Sequence, residues 1–261
     1  MQGGEAKRLP DAAGYEVWLL CMGAIEARPG LMLPDRAATL PVNALLLRGH
    51  GQTLLVDAGS GPADVIWPGA AALDQALASA GATAQEIDAV VLTHLDFDHA
   101  GGALAGTWPN DLRAAFPLAI VSAVDLDSWR GRELEESDWN SGTRLLNVYE
   151  PAGKLEIAEE GIEFRPGLRY VSAPGHRAGH CVLLIGDALV HGADLLGHVE
   201  HVEHPEWNWT PNSDPELALE TRRSWLDRLA REGTPVVFSH VAERGRVVPG
   251  PRWQPDPLSN A

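Results

Sequence analysis

The sequence predicts an α+β fold in which two β-sheets pack against each other and helices cover their outer faces. Strand-like segments outnumber helical ones, they tend to occur in neighbouring pairs, and each half of the chain contains at least one amphipathic helix. A chain of 261 residues with 45% hydrophobic residues is long enough to bury a sizeable core. We expect a single domain over residues 1–261, with loosely ordered ends at 1–13 and 249–261.

The first half of the chain contains four predicted strands and one helix. The strands are at 15–22, 42–47, 53–57 and 87–93. The glycine-containing turn at 48–51 makes the second and third of them an antiparallel hairpin. Small and apolar residues at helical spacing predict an amphipathic helix over 73–80, ended by Gly81. Thr83 and Glu86 then have the spacing of a capping box.

The second half opens with a segment that has no clear period. We expect residues 125–161 to form a helix-and-loop excursion over the surface. Strands are predicted after it at 168–173, 181–185, 188–193 and 235–239, with a further short one at 246–248. Asp214 and Pro215 have the pattern of a helix N-terminus, and Gly233 ends that helix.

The charge balance excludes some partners. The formal charge of −16 argues against binding to nucleic acid or to an anionic membrane, both of which need clustered cations. The longest apolar runs are far too short to span a bilayer, and the first ten residues lack an apolar signal region, so we expect a cytoplasmic protein. Cys21 and Cys181 lie in apolar runs and are predicted to be buried free thiols.

A short segment after the predicted strand at 87–93 is rich in metal-binding side chains. Four of them occur within six residues: His94, Asp96, Asp98 and His99. Imidazole and carboxylate ligands at this spacing suit zinc or another first-row divalent ion. The alternative is a polar loop whose side chains cap a helix.

Three later segments carry further ligand-type residues where strands begin or end. The glycine-rich turn 174–180 contains two histidines, the segment 191–194 ends in a carboxylate, and the strand before His240 ends in that histidine. Strand ends can converge at one edge of a sandwich, so these residues are candidates for the same site as the 94–99 segment.

With these motifs in this order, the sequence resembles the metallo-β-lactamase fold superfamily over about residues 42–248. Residues 54–59 look like its first motif, 94–99 like its HxHxDH signature, and 179–180 like its third motif, followed by Asp194 and His240. The resemblance implies a four-layer αββα sandwich, a site for one or two metal ions along its edge, and hydrolase activity. The pattern is most similar to the group that includes methyl parathion hydrolase and related lactonases and esterases.

The resemblance also implies roles for individual residues. The first metal is assigned to His94, Asp96 and His180, the second to Asp98, His99 and His240, with Asp194 bridging the two. In the third motif we choose His180 over His176, which is then a loop histidine beside the ligands. Asp187 competes with Asp194 for the bridging position and is read as part of a hairpin turn. Asp57 is expected to support the metal loop from behind, and His198 to line the mouth of the pocket.

Asp96 is a departure from the signature, which has histidine there. A carboxylate is a harder donor, so it favours manganese or iron more than imidazole does and can leave only one ion tightly held. Zinc remains the first expectation.

The expected chemistry is hydrolysis by a hydroxide held between the ions, since a divalent ion lowers the pKa of bound water. Asp98 would orient the hydroxide and carry its proton to the leaving group. The expected substrate is a small-molecule lactone, ester or phosphotriester, although no tyrosine follows Asp194 closely, as it does in quorum-sensing lactonases.

Two alternatives remain open, a thioesterase similar to hydroxyacylglutathione hydrolase (glyoxalase II) and a non-hydrolytic member with a remodelled site. A homodimer is possible by analogy. Aromatic residues that could wall the pocket are Phe97, Trp129, Trp139, Trp207 and Trp209.

Overall fold

Two mixed β-sheets stacked face to face form the centre of the molecule in the computed structural model. The structure describes residues 1–61, 72–107, 111–130 and 141–256. In those residues the first half of the chain builds one sheet and the second half builds the other. None of the helices in these ranges has the length and apolar character needed to cross a membrane.

Within the described residues, the chain up to residue 158 supplies nine strands. They are β1 (Glu5–Ala12), β2 (Tyr15–Ala27), β3 (Ala38–Gly49), β4 (Gln52–Val56), β5 (Ala89–Val91), β6 (Leu104–Ala105), β7 (Arg113–Ala114), β8 (Ala119–Ser122) and β9 (Leu155–Ala158). Seven form the first sheet, in the order β1-β2-β3-β4-β5-β8-β9, while β6 and β7 pair separately. The strands from β1 to β4 are antiparallel, and β4, β5, β8 and β9 are parallel.

The second half supplies the second sheet. Its strands are β10 (Glu163–Arg165), β11 (Leu168–Ser172), β12 (Cys181–Ile185), β13 (Leu189–His191), β14 (Val236–Val237), β15 (Gly245–Val248) and β16 (Arg252–Pro255). They follow one another in the sheet in chain order. Only β13 and β14 are parallel neighbours within this described sheet, because the longest helix connects them.

In the part of the chain that the structure describes, five α-helices lie on the outer faces and at the edge. They are α1 (Leu73–Ser79), α2 (Phe97–Ala100), α3 (Ala123–Trp129), α4 (Ser141–Tyr149) and α5 (Pro215–Glu232). Short 3₁₀ turns cover Ala84–Glu86, Gly101–Ala103, Ala193–Leu195 and Val199–Val202. The Asp214 side chain caps α5 by accepting a hydrogen bond from Leu217 N at 3.0 Å, and Gly233 ends the helix at φ +65°.

Three separate apolar layers hold the sheets and helices together. Alternate residues of β3 face opposite ways: Leu45 and Leu47 belong to the layer between the sheets, whereas Leu46 belongs to the layer that includes residues of α1, α3 and α4. On the far side Trp225 and Leu229 of α5 cover the second sheet. Helices, sheet, sheet and helix thus form the four layers of an αββα sandwich, which confirms the predicted fold class.

The structure confirms several predicted elements and corrects others. The 48–51 turn joins β3 and β4 as an antiparallel hairpin, and the capping box of Thr83 with Glu86 is present. Residues 5–12 form β1 and 252–255 form β16, so the prediction of loose ends at 1–13 and 249–261 is wrong for these strands. The segment 125–161 is also more than a surface excursion, since β9 extends the first sheet. Residues 257–261 and Trp139 lie outside the described residues.

Candidate metal centre

The predicted site residues lie where strands of both sheets end at one edge of the sandwich. Asp57 follows β4, the 94–99 segment follows β5, and His176 lies in the turn after β11. Asp194 follows β13 and His240 follows β14. The two sheets are joined at this edge because Cys181 N donates to Thr93 O at 3.1 Å and Asn43 N donates to Ser239 O at 3.0 Å.

The segment after β5 is folded so that its polar side chains face the edge and its apolar ones face the core. Leu95 and Phe97 are buried in the layer under the outer helices. Backbone bonds hold the one-turn helix α2 against the loop after β4, with Ala58 N donating to His99 O at 2.7 Å. A Cβ on Gly102 would lie 2.0 Å from Ala58 O, so this close approach requires glycine.

One group of donor atoms is formed by His94, Asp96 and His176. Asp96 Oδ2 lies 3.3 Å from His176 Nε2 and 3.7 Å from His94 Nε2. All three side chains are buried. The geometry therefore brings two imidazole nitrogens and one carboxylate oxygen to a common point.

A second group is formed by Asp98, His99 and His240. Asp98 Oδ2 lies 3.5 Å from His240 Nε2, and Asp98 Oδ1 lies 3.9 Å from His99 Nε2. These side chains are also buried, with Asp98 8% exposed towards the cavity described below.

Asp194 stands between the two groups and turns one oxygen to each. Its Oδ1 lies 3.2 Å from His99 Nε2 and 3.4 Å from His240 Nε2. Its Oδ2 lies 3.3 Å from His176 Nε2 and 3.8 Å from His94 Nε2. One carboxylate thus spans both sets of histidines.

Several of these inward-facing atoms are buried without a hydrogen-bond partner. They include Nε2 of His94, Nε2 of His99 and Oδ1 of Asp194. Buried polar atoms are nearly always satisfied, and unsatisfied ones need an explanation such as an ion. The donors are imidazole nitrogens and carboxylate oxygens, the set that zinc and similar divalent ions take. The described residues therefore fit a pair of divalent cations.

The choice of His180 over His176 is corrected by the structure. Both nitrogens of His180 are occupied by backbone groups: Nδ1 donates to Ala173 O at 2.7 Å, and Nε2 accepts from Asp194 N at 2.9 Å. No lone pair of that ring is left for an ion. His176 instead presents Nε2 to the first donor group, while His180 fixes the backbone of Asp194.

Hydrogen bonds on the outer nitrogens orient three of the inward-facing rings. The Nδ1 atom of His99 contacts Asp57 Oδ2 at 2.8 Å, that of His176 contacts Asn212 Oδ1 at 3.2 Å, and that of His240 contacts Pro41 O at 2.8 Å. Each of these oxygens accepts the Nδ1 proton, so a neutral ring directs its Nε2 lone pair inwards. Asp57 also accepts from Thr93 N at 2.9 Å, so it lies directly behind the 94–99 segment.

Burial and neighbouring charges act in opposite directions in the cluster. Burial alone disfavours the charged ring of His99, yet the carboxylates of Asp194 and Asp57 outweigh it and hold the pKa of His99 well above its usual value. Burial likewise opposes ionisation of Asp194, but His99 and His240 hold its pKa well below the usual range. The carboxylate that faces both groups is therefore ionised at neutral pH.

Asp96 has a partner of opposite charge. Arg177 Nε donates to Asp96 Oδ1 at 2.8 Å, and Arg177 Nη2 lies 2.6 Å from Asp96 Oδ2. Burial raises the pKa of Asp96, whereas hydrogen bonds from His176 and His94, together with the charges of His94 and Arg177, hold the pKa well below its usual range. No sequence motif singled out this ion pair.

Comparison with known proteins agrees with this geometry. Residues 37–240 match the family model described as "Metallo-beta-lactamase superfamily". The chain belongs to the metallo-beta-lactamase superfamily. A search of curated proteins finds no match for it.

Solved structures of several hydrolases share the fold over nearly the whole chain. AidC, described as a dizinc quorum-quenching lactonase in complex with a product, has 22% identity and a TM-score of 0.81, covering 98% of this chain and 99% of its own. The hydrolase AbOPH has 19% identity and a TM-score of 0.83, covering 99% of both chains. A probable metal-dependent hydrolase from Staphylococcus aureus has 18% identity and a TM-score of 0.76, covering 94% and 97%.

In this superfamily protein a cavity of about 60 Å³ opens over the donor groups. Its polar lining consists of Asp96, Asp98, His176, Arg177, Asp194 and His240, and its apolar lining of Ile25, Leu31, Met32, Leu40, Phe97, Trp209 and Pro211. The Trp209 ring stacks on the His176 ring with centroids 4.5 Å apart. Phe97 and Trp209 therefore wall the pocket, as the sequence suggested, whereas Trp129 belongs to the core and Trp207 stacks on His204.

Two loops meet to form the apolar wall. Thr210 N donates to Leu31 O at 3.1 Å, and His201 Nε2 donates to Met32 O at 2.9 Å. Burial lowers the pKa of His201 to about 4, so the ring is neutral in this role. Its neighbour His198 does not line the cavity, which corrects that expectation: its Nδ1 accepts from Glu200 N at 3.2 Å and caps a 3₁₀ turn.

Three contributors to the site escaped the sequence analysis: Asn212 behind His176, the Arg177 partner of Asp96, and His201 in the wall. The carboxylate that competed with Asp194 lies elsewhere. Asp187 is in the turn between β12 and β13 and lines a separate cavity with Arg228 and Glu232.

Proposed function

We propose that this protein is a metal-dependent hydrolase that opens lactones or cleaves esters of small, uncharged and largely apolar molecules. The observation that carries the proposal is the position of Asp194, whose two oxygens face two separate histidine groups 3.2–3.8 Å away. A carboxylate in this position is suited to bridge two divalent ions held close together.

The two ions are assigned to this chain's own side chains. His94, Asp96 and His176 would hold one ion, Asp98, His99 and His240 would hold the other, and Asp194 lies where it could serve both. Zinc is the metal that this donor set favours, with manganese or iron as alternatives because Asp96 is a hard donor. When bound, such ions polarise a substrate oxygen and lower the pKa of water towards neutrality.

Asp98 is the residue we assign to proton transfer. It is placed in the second donor group and also lines the cavity, so one carboxylate faces both the histidines and the substrate space. From there it can orient a water molecule, accept its proton and pass that proton to the alkoxide oxygen of the departing group. His99 Nε2 and His240 Nε2 lie on its other side, 3.9 and 3.5 Å from its oxygens.

The cavity lining supports the substrate class. Seven of its thirteen lining residues are apolar, and they come from the end of β2, from β3, from α2 and from the two wall loops. An apolar wall beside polar groups at one end suits a molecule with an apolar body and a single reactive carbonyl or phosphoryl group. Phosphotriesters share this description and belong to the proposed range.

The existing contacts of Arg177 disfavour an anionic substrate such as a glutathione thioester. Among the cavity-lining residues of the described chain, it is the one arginine or lysine. Its guanidinium is already engaged with Asp96 and with backbone carbonyls of His176 and Pro211. A substrate carboxylate would have to displace one of these partners, at the cost of a partly buried ion pair.

Metal removal and replacement tests the proposal. The protein is stripped with a chelator, reloaded with Zn²⁺ or Mn²⁺, and assayed on N-hexanoyl homoserine lactone, a p-nitrophenyl ester, an aryl phosphotriester and a thioester. We expect two ions per chain, loss of hydrolysis on stripping, and recovery on the lactone or ester. Activity that survives full metal removal refutes the metal chemistry, and recovery on the thioester alone refutes the substrate class.

Asp194 and Asp187 provide a matched pair of variants. Asp194→Asn removes the bridging charge and is expected to abolish binding of at least one ion together with activity. Asp187→Asn changes the same functional group in a turn away from the site, so ion content and activity are expected to stay as in the wild type. Equal effects of the two substitutions would contradict the assignment of Asp194.

A further inference from the structure

Asp96 and Arg177 form a pair that is tied firmly into the edge of the sandwich. The guanidinium meets the carboxylate side-on, with Nε and Nη2 each facing one oxygen. Its third nitrogen, Nη1, donates to His176 O at 2.8 Å, to Pro211 O at 2.5 Å and to Ser213 Oγ at 3.2 Å. The arginine is therefore held from three directions and stays at Asp96.

The same oxygen of Asp96 faces both the arginine and the first metal position. Oδ2 lies 2.6 Å from Arg177 Nη2 and 3.3 Å from His176 Nε2. A carboxylate oxygen has two lone pairs, so it can accept from the guanidinium and still present a lone pair to a cation. A cation bound in this position would share Oδ2 with the guanidinium of Arg177.

Arg177 offsets one of the negative charges of the site. The three carboxylates of the proposed ligand set, Asp96, Asp98 and Asp194, carry −3, and Arg177 brings the sum to −2. A site with histidine at position 96 and no arginine would also carry −2, from Asp98 and Asp194. The pair thus has the formal charge of the single histidine in the superfamily signature.

We propose that Asp96 and Arg177 act as one unit that replaces the second histidine of the signature, so that the first metal position depends on both residues together. This inference rests on the proposed function, because it assumes that Asp96 faces a bound ion. Arg177 is a positioning residue in this account: it holds Asp96 and sets the charge seen by the ion.

If the two residues act as one unit, restoring the signature histidine at position 96 alone should weaken metal binding. Asp96→His alone leaves Arg177 as a cation beside the ion without its counter-charge, and the sum becomes −1. Affinity for Zn²⁺ at this position is then expected to fall by about tenfold or more, the scale of losses when a metal ligand loses its support. Adding Arg177→Gln returns the sum to −2 and is expected to restore most of that loss.

In the wild-type background the arginine substitution has two opposing effects. Arg177→Gln removes a competing charge, which favours the ion, and releases Asp96 from its fixed orientation, which disfavours it. We therefore expect a change of less than about twofold in Zn²⁺ affinity. The effect of Arg177→Gln should differ at least about fivefold between the wild type and the Asp96→His variant, which is the coupling that the proposal requires.

The test is a double-mutant cycle on metal affinity in the full-length protein. Zn²⁺ is titrated into the chelator-stripped wild type, Asp96→His, Arg177→Gln and the double variant by isothermal titration calorimetry, with circular dichroism and melting curves to establish folding. If Asp96→His does not fold, Asp96→Asn takes its place, since it removes the charge and keeps the shape. The prediction for that variant is the same: loss of affinity that Arg177→Gln recovers.

A second cycle with Asp98→Asn controls for long-range charge effects. Asp98 belongs to the other donor group, so its coupling with Arg177 should be clearly smaller than that of Asp96. Coupling below about fivefold in the first cycle, or equal coupling in both, overturns the paired replacement. Failure of wild-type protein to bind Zn²⁺ at all would instead overturn the proposed function, so the two failures are distinguishable.

Discussion

His176 and His180 lie four residues apart in one turn, and alanine substitutions should separate their roles. His176→Ala removes an imidazole whose Nε2 lies 3.3 Å from both Asp96 Oδ2 and Asp194 Oδ2. Loss of a supporting group costs about 10–100-fold in metal affinity, and loss of a ligand should cost more than that. We therefore expect His176→Ala to lower Zn²⁺ affinity by more than about 100-fold.

His180→Ala should act mainly on stability. It leaves two buried backbone groups, Ala173 O and Asp194 N, without their partners at 2.7 and 2.9 Å. A buried unsatisfied group costs about 1–3 kcal/mol, so the metal-free protein should lose about 2–6 kcal/mol of unfolding free energy. Zn²⁺ affinity should fall less than for His176→Ala, because Asp194 is shifted and not removed.

Two measurements on both variants distinguish the roles of His176 and His180. Chemical denaturation of the stripped proteins gives the unfolding free energy, and calorimetric titration with Zn²⁺ gives the affinity. The expected pattern is a crossover, with His176→Ala worse in affinity and His180→Ala worse in stability. If His180→Ala loses more affinity than His176→Ala, the reassignment of the ligand is refuted.

Further predictions concern the pocket wall and a buried carboxyl group. Trp209→Ala should cost about 3–5 kcal/mol of unfolding free energy, whereas Trp209→Phe keeps a ring against His176 and should keep the metal content, as metal analysis can check. His201→Ala should raise KM and leave ion stoichiometry unchanged, since the buried ring supports Met32 in the pocket wall and belongs to neither donor group; a fall in bound metal would contradict this. Burial, followed by the charge of Asp96, raises the pKa of Asp125 to about 7, while an unfolded chain ionises near 3.8. Between these values the unfolded state binds fewer protons than the folded state, so the unfolding free energy falls as pH rises. Asp125→Asn lacks this effect, so its unfolding free energy relative to wild type should increase by up to about 4 kcal/mol between about pH 4 and pH 7. Denaturant titrations of the stripped proteins measure this difference.

The fold was predictable because its signals are local. The hairpin around 48–51 and the helix that begins after Asp214 are each specified by turn and capping residues within a few positions. Strand β1 had no such signal. Its sequence is charged and contains a proline, and it is a strand because its backbone pairs with β2 at the sheet edge.

The donor set was also largely predictable, because ligand-type residues follow strands whose ends converge. The sequence could not distinguish His176 from His180, because both lie in the same glycine-rich turn. They differ in which ring meets the Asp194 amide, a contact that only the fold creates. Asn212 and Arg177 depend in the same way on contacts across the fold. Arg177 reaches a carboxylate 81 positions earlier in the chain, a relation that no local pattern encodes.

The division of the sheets between the halves of the chain has a practical consequence for the metal centre. Sheet one ends at β9 and sheet two begins at β10, with the exposed turn 159–162 as the connection. His94, Asp96, Asp98 and His99 come from the first half, and His176, Asp194 and His240 from the second. Divalent ions at the edge would therefore cross-link two fragments of a chain cut in that turn. Reassembly of such fragments should tighten as free metal rises, which makes the protein a scaffold for a metal-gated split system.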